Sequence, residues 1–170
     1  MNINGIDVKG IVFDLDGTLV WTREKYIHKV IKQTLGKFGR ISSRKERCEF
    51  WYKSNRDLII QDAFGVDPHK FWEEFQNYDT LELRQQYVKV YSDAIYSLGE
   101  LKKSGIRTGI LTGSPEKIME MEVGLLNHDF DALVSANSRN GIPQKPNGVG
   151  LEICLTRMCI PLENCVIVGN

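Results

Sequence analysis

Two hydrophobic rhythms divide this chain. One is a set of short unbroken apolar runs, the mark of strands covered on both faces; the other is a three-to-four-residue recurrence, the mark of amphipathic helices. The run "KGIVFDL", residues 9–15, carries Ile11, Val12 and Phe13 without a polar interruption. Similar runs are "IRTGILT" (106–112), "DALVSA" (131–136) and "CVIVGN" (165–170). Helical spacing lies between them. Ile95, Leu98 and Leu101 share a face that Gly105 ends as a cap. In "SPEKIMEMEVGLL" (114–126), Ser114 suits the N-cap, Pro115 the first helical position, and Glu116 the positive end of the dipole. Leu151, Cys154, Leu155 and Met158 align in a last helix. Strand and helix alternate, so the pattern predicts an α/β core with a parallel sheet.

One connection is too long. Residues 17–105 separate the first two predicted strands, far more than a crossover helix needs. Their spacing is helical, with Tyr26, Ile27, Val30, Ile31 and Leu35 in one stretch and Phe71, Trp72 and Phe75 in another behind an Asp67-Pro68 cap. "DTLELRQQYVKVY" reads as one more helix after Asp79. Residues 21–92 are therefore expected to form a helical cap, and residues 1–20 with 93–170 the core. Trp21, Phe50, Trp51 and Trp72 either line a pocket or fill the cap's own interior, the latter being the commoner fate of such rings.

Composition narrows the chemistry mainly by exclusion. The 170-residue chain has a formal net charge of zero, so no basic field argues for nucleic acid or an anionic membrane. No apolar run is long enough to cross a bilayer, and "MNINGIDVKG" has no signal-peptide core. Cys48, Cys154, Cys159 and Cys165 have no zinc spacing and read as thiols of a reducing, cytoplasmic compartment.

The candidate chemistry gathers where strands end, since ligands in open parallel sheets bind beyond the carboxyl ends. The first strand delivers Asp14 and Asp16, the second Thr112, Gly113 and Ser114, the loop after the third Lys145, and the fourth Gly169 and Asn170. Two close carboxylates repel unless a cation neutralises them, and a hard divalent ion such as Mg²⁺ does so with oxygen ligands. Thr112 and the amides after it would bind an anion at a helix N-terminus, with Lys145 adding a point charge. Such parts suit phosphoryl transfer. Read singly, the same acids are turn formers, Thr112 and Ser114 helix caps, and Lys145 a surface lysine.

Taken in order, "DLDGT", "ILTGS", "QKPNG" and "VIVGN" resemble the four motifs of the haloacid dehalogenase superfamily, most closely its phosphoglycolate-phosphatase-like and β-phosphoglucomutase-like branch. The resemblance spans almost the whole chain. It implies a Rossmann-like parallel-sheet core with an inserted all-helical cap, and a cytoplasmic, Mg²⁺-dependent phosphatase acting on a small phosphorylated metabolite. By it, Asp14 is the nucleophile that becomes an aspartyl-phosphate, and Asp16 is the acid and base. Thr112, Gly113 and Lys145 hold the phosphate. Asp14, Asp16 and Asn170 hold the metal. A sugar phosphomutase and a catalytically silent module that binds a phosphate ligand or a protein are the alternative readings. The sequence departs from the motifs at Trp21, where relatives often carry an acid, and at Asn170, the last residue, after which relatives carry further acids. The expectation is a truncated form with weak metal binding, whose strand 165–169 is an apolar edge open to self-association.

Overall fold

The computed structural model describes residues 2–3, 5–53, 55–137 and 140–169. The chain divides into two compact units, Met1–Trp21 with Lys89–Asn170, and Thr22–Val88.

The first unit opens with a small antiparallel pair, β1 (Asn2–Ile3) and β2 (Ile6–Asp7). Its main sheet has four parallel strands: β3 (Gly10–Phe13), β6 (Arg107–Thr112), β7 (Ala132–Ser135) and β8 (Cys165–Val168), in the order β7-β6-β3-β8. All four residues of β3 are buried, as expected of an inner strand with an unbroken apolar run. Edge strand β8 ends exposed, with Ile167 at 58 %.

The α-helices among the described residues of this unit are α6 (Ser92–Lys103), α7 (Glu116–Gly124) and α8 (Val149–Met158). Helix α8 packs Cys154, Leu155 and Met158 onto Val12, Leu111, Ala132 and Val134. Burial there, and then the neighbouring Cys165, push the Cys154 thiol up to about 12, so it stays protonated and behaves as a small apolar side chain. On α6 the buried positions are Ala94 and Leu98; Ile95, expected on that face, is 52 % exposed.

The second unit holds α1 (Glu24–Lys37), α2 (Arg44–Tyr52), α3 (Arg56–Asp62), α4 (Pro68–Phe75) and α5 (Leu81–Gln85). Its core is aromatic. Phe50, Trp51, Phe64, Phe71 and Phe75 are buried with Tyr26, Ile27 and Ile31, and Trp72 packs against them. The Trp72 indole donates to Asp57 at 2.7 Å. Phe50, Trp51 and Trp72 are thus accounted for by the unit's own interior. The caps are local: Ser43 and Glu46 form a reciprocal box, and Asp67 accepts from the Lys70 amide ahead of Pro68. The helix expected through residue 91 ends instead at Gln85. Val88–Val90 forms β5, paired with β4 (Val20–Thr22), as β-branched residues favour. Among the described residues no helix is long and apolar enough to cross a membrane.

One titration follows from the first unit's packing. The His128 ring lies edge-on to Phe130, and its Nε2 sits 2.8 Å from the Thr108 hydroxyl. Burial, then the charge of Lys102, lower its pKa from the ordinary 6.5. A histidine depressed in the fold takes up its proton more readily unfolded. Its contribution is therefore complete above the unfolded value and is lost as pH falls below 6.5 toward the folded one. Lowering the pH from about 7.5 to about 5.5 is expected to lower Tm, and His128→Gln to flatten part of that slope. Thermal unfolding across this range measures both. His28 is depressed too, by burial and then Arg47, and contributes slope of the same sign.

Candidate active site

The site lies at the carboxyl ends of β3, β6 and β7, within the first unit. Asp14 follows β3, and its amide donates to the Val168 carbonyl at 2.8 Å. That bond holds the β3 exit beside the end of β8. A Cβ on Gly169 would sit 3.1 Å from the Asp14 Cβ, so the missing side chain is what lets the two segments approach. After Asp14 the backbone turns sharply. The amides of Thr18, Leu19 and Val20 all point to the Leu15 carbonyl, and Gly17 takes φ of +84°. That conformation suits glycine and carries the chain out of the sheet with both acids at its end.

Lys145 arrives from the loop between β7 and α8. Its Nζ lies 2.6 Å from Asp14 Oδ1 and 3.4 Å from the Leu111 carbonyl. Asp14 and Lys145 are 131 residues apart in sequence, and both keep some solvent access.

Thr112 ends β6, buried, and its Oγ1 accepts the Ser114 amide at 3.1 Å. This turn uses the Ser114 N–H, so the expected anion site loses one of its amides and keeps that of Gly113. The Thr112 hydroxyl proton stays available as a donor.

Ser114 is not the helix cap the sequence suggests. Helix α7 begins at Glu116 with Pro115 at the N-cap and no side-chain cap. Ser114 Oγ instead donates to Asp16 Oδ2 at 3.0 Å. Its carbonyl accepts the Ser135 hydroxyl at 2.6 Å and the Asn137 amide at 3.5 Å, and Asn137 also donates to Ser135 Oγ at 2.8 Å. Ser135 and Asn137 were not among the expected residues. Their signal was present: two buried polar side chains where an apolar strand ends, on the edge where the other motifs gather.

Asp14, Asp16, Thr112, Gly113 and Lys145 are therefore together at one edge. Asn170, expected as a metal ligand, lies outside the described residues. Among the described residues no group of three or more His, Cys, Asp or Glu side chains converges as a metal cluster. What the site offers a cation is the oxygen chemistry of Asp14 and Asp16.

The family described as haloacid dehalogenase-like hydrolase matches residues 11–170. Pyrophosphatase PpaX of Bacillus cereus (strain G9842) is 26 % identical over 167 residues, covering 96 % of this chain and 74 % of the relative. A crystal structure from Bacteroides fragilis, named for the haloacid dehalogenase-like hydrolases, superposes with a TM-score of 0.83 at 19 % identity, over 96 % of this chain and 79 % of that one. One from Lactobacillus plantarum, which carries a phosphoglycolate phosphatase name, gives 0.79 at 18 % identity over 97 % and 78 %. These two structures speak for the fold, an α/β parallel sheet of Rossmann type.

Proposed function

This chain belongs to the haloacid dehalogenase-like hydrolases and is a hydrolase of the phosphatase type, and from that premise we propose that it cleaves small phosphorylated metabolites through an aspartyl-phosphate on Asp14. One observation supports the reading most strongly. A carboxylate and a lysine from segments 131 residues apart, Asp14 and Lys145, pair at 2.6 Å at the carboxyl end of a parallel sheet, at the edge where the neighbouring strand ends in the buried Thr112.

In this mechanism an Asp14 oxygen bonds to phosphorus as the bond to the leaving oxygen breaks. Asp16 gives its proton to that oxygen. Water then attacks the aspartyl-phosphate and gives a proton to Asp16, and the Asp14 carboxylate is released with inorganic phosphate. Lys145, the Thr112 hydroxyl and the Gly113 amide hold the non-bridging oxygens where charge builds.

The donor set fits Mg²⁺, which keeps several waters and takes one or two carboxylates together with substrate phosphate. Asp14 through its carboxylate and Asp16 through its backbone carbonyl would hold it, joined by Asn170, which leaves the Asp16 carboxyl to move protons. Bound there, the ion would offset the charge of Asp14 and of the incoming phosphate. The cytoplasm is the proposed compartment.

The test is phosphate release from a panel of phosphomonoesters and pyrophosphate, with Mg²⁺ and with chelator. Release with Mg²⁺, a chelator-sensitive rate, and a hydroxylamine-labile phosphate on Asp14 are expected. A chain that releases no phosphate and takes no label on Asp14 would overturn the proposal. Lys145→Met keeps the stem and deletes the charge. It is expected to lower kcat/KM by about 10²- to 10³-fold, the cost of one transition-state donor, as steady-state kinetics would measure.

A further inference from the structure

Ser114 spends its hydroxyl in an unusual way for its position. A serine just before a proline and a helix normally accepts from the first free amides of that helix. Here α7 has no side-chain cap, and Ser114, 1 % exposed, donates through Oγ across 98 residues of sequence to Asp16 Oδ2 at 3.0 Å. The segment that carries it is held twice. The Ser114 amide closes on Thr112 Oγ1, and the Ser114 carbonyl accepts the Ser135 hydroxyl at 2.6 Å. Asn137 backs Ser135 at 2.8 Å. A run of hydrogen bonds thus leads from the end of β7, through residue 114, to one oxygen of Asp16.

We propose that Ser114 is a positioning residue of the reaction: its hydroxyl, anchored by Ser135 and Asn137, fixes the plane of the Asp16 carboxyl toward the leaving oxygen and then toward water. The inference rests on the reading of Asp16 as acid and base given above. A carboxyl on a sharp turn can rotate about its terminal torsion, where the energy wells are broad. Proton transfer needs hydrogen-bond reach and alignment, so a rotated carboxyl is a poor acid even when present. A donor to Oδ2 removes that freedom without touching substrate. It holds in both halves of the reaction, because the carboxylate and the acid alike can accept there.

Orientation of an acid has a kinetic signature that general damage lacks. Proton delivery matters when the leaving oxygen is an alkoxide and hardly matters when it is p-nitrophenolate. The experiment compares kcat/KM of the full chain on glycerol 3-phosphate and on p-nitrophenyl phosphate, with Mg²⁺ present. Ser114→Ala is expected to lower the first by about 10- to 100-fold, the worth of a hydrogen bond to a charged group, and to change the second by less than about threefold. On p-nitrophenyl phosphate kcat itself should fall, since attack of water on the intermediate uses the same carboxyl. Ser114→Cys keeps the volume and weakens the donor, giving the same readout should the alanine variant not fold. Ser114→Thr restores the hydroxyl and should recover alkyl ester turnover. Equal losses on both esters, or no loss on either, in a parent that hydrolyses both would overturn the positioning role and leave the phosphatase reading intact. A parent that hydrolyses neither ester nor the wider panel would overturn that reading and this inference together.

Discussion

Asp14→Asn is expected to reduce phosphate release by about 10⁴-fold or more while leaving the fold in place, as removal of a nucleophile does in other covalent enzymes. The amide has the same shape as the carboxylate and can still receive the Lys145 ammonium that lies 2.6 Å from Oδ1. The Asp14 backbone amide, bonded to Val168, is untouched. What is lost is the nucleophile. A neutral amide cannot form the acyl phosphate that splits hydrolysis into two easier steps. The variant should therefore show parent-like unfolding, no hydroxylamine-labile phosphate, and a rate about 10⁴-fold or more below the parent on every ester of the panel. A variant that keeps more than a tenth of parental turnover would require another nucleophile. Phosphate release, intact-protein mass and thermal unfolding give the three readouts.

The largest stability effect belongs to the second unit, at Asp79. Its Oδ2 meets Arg84 at 3.1 Å with both side chains at least nine-tenths buried, and its Oδ1 accepts the Tyr26 hydroxyl at 2.8 Å. Arg84 in turn lies 4.9 Å from the Trp51 ring, and Tyr26 stacks on Tyr87 at 5.0 Å. Burial first, then the Asp79 charge, raise the Tyr26 phenol well above its ordinary value, so it remains a donor throughout the working pH range. One carboxylate thus satisfies a buried cation and a buried phenol. Asp79→Ala removes it from both, and breaking a buried pair by deleting one member costs about 3–5 kcal/mol. Against a typical domain stability of roughly 5–15 kcal/mol, that is a large fraction. Urea unfolding followed by tryptophan fluorescence should show the midpoint fall with little change in slope. Arg84→Met in the same background should cost less than in the parent, because the pair is then already broken. A midpoint unchanged by Asp79→Ala would mean that other protein groups or solvent satisfy both partners.

Much of the architecture was legible in local pattern. The apolar runs at 9–15, 106–112, 131–136 and 165–170 became the four parallel strands, and α8 buries most of the face its spacing predicts. Pattern misled where local preference was ambiguous. Residues 88–90 follow a helical stretch, yet two valines and a partner strand make them β5. Ile95 fits the α6 periodicity and still faces out.

By itself the sequence determined the four strands of the main sheet and most of the helices, and which residues with useful chemistry sit at strand ends. Both are local properties, carried by periodicity and by turn residues such as Gly17. Only the tertiary structure decided who meets whom. Lys145 reaches Asp14 across 131 residues, and Ser114 turns from capping its own helix to holding Asp16. Ser135 and Asn137 join the site because β7 lies beside β6. Hydrogen bonds between distant segments depend on strand order and register, and those follow from packing the whole chain at once rather than from any window of it.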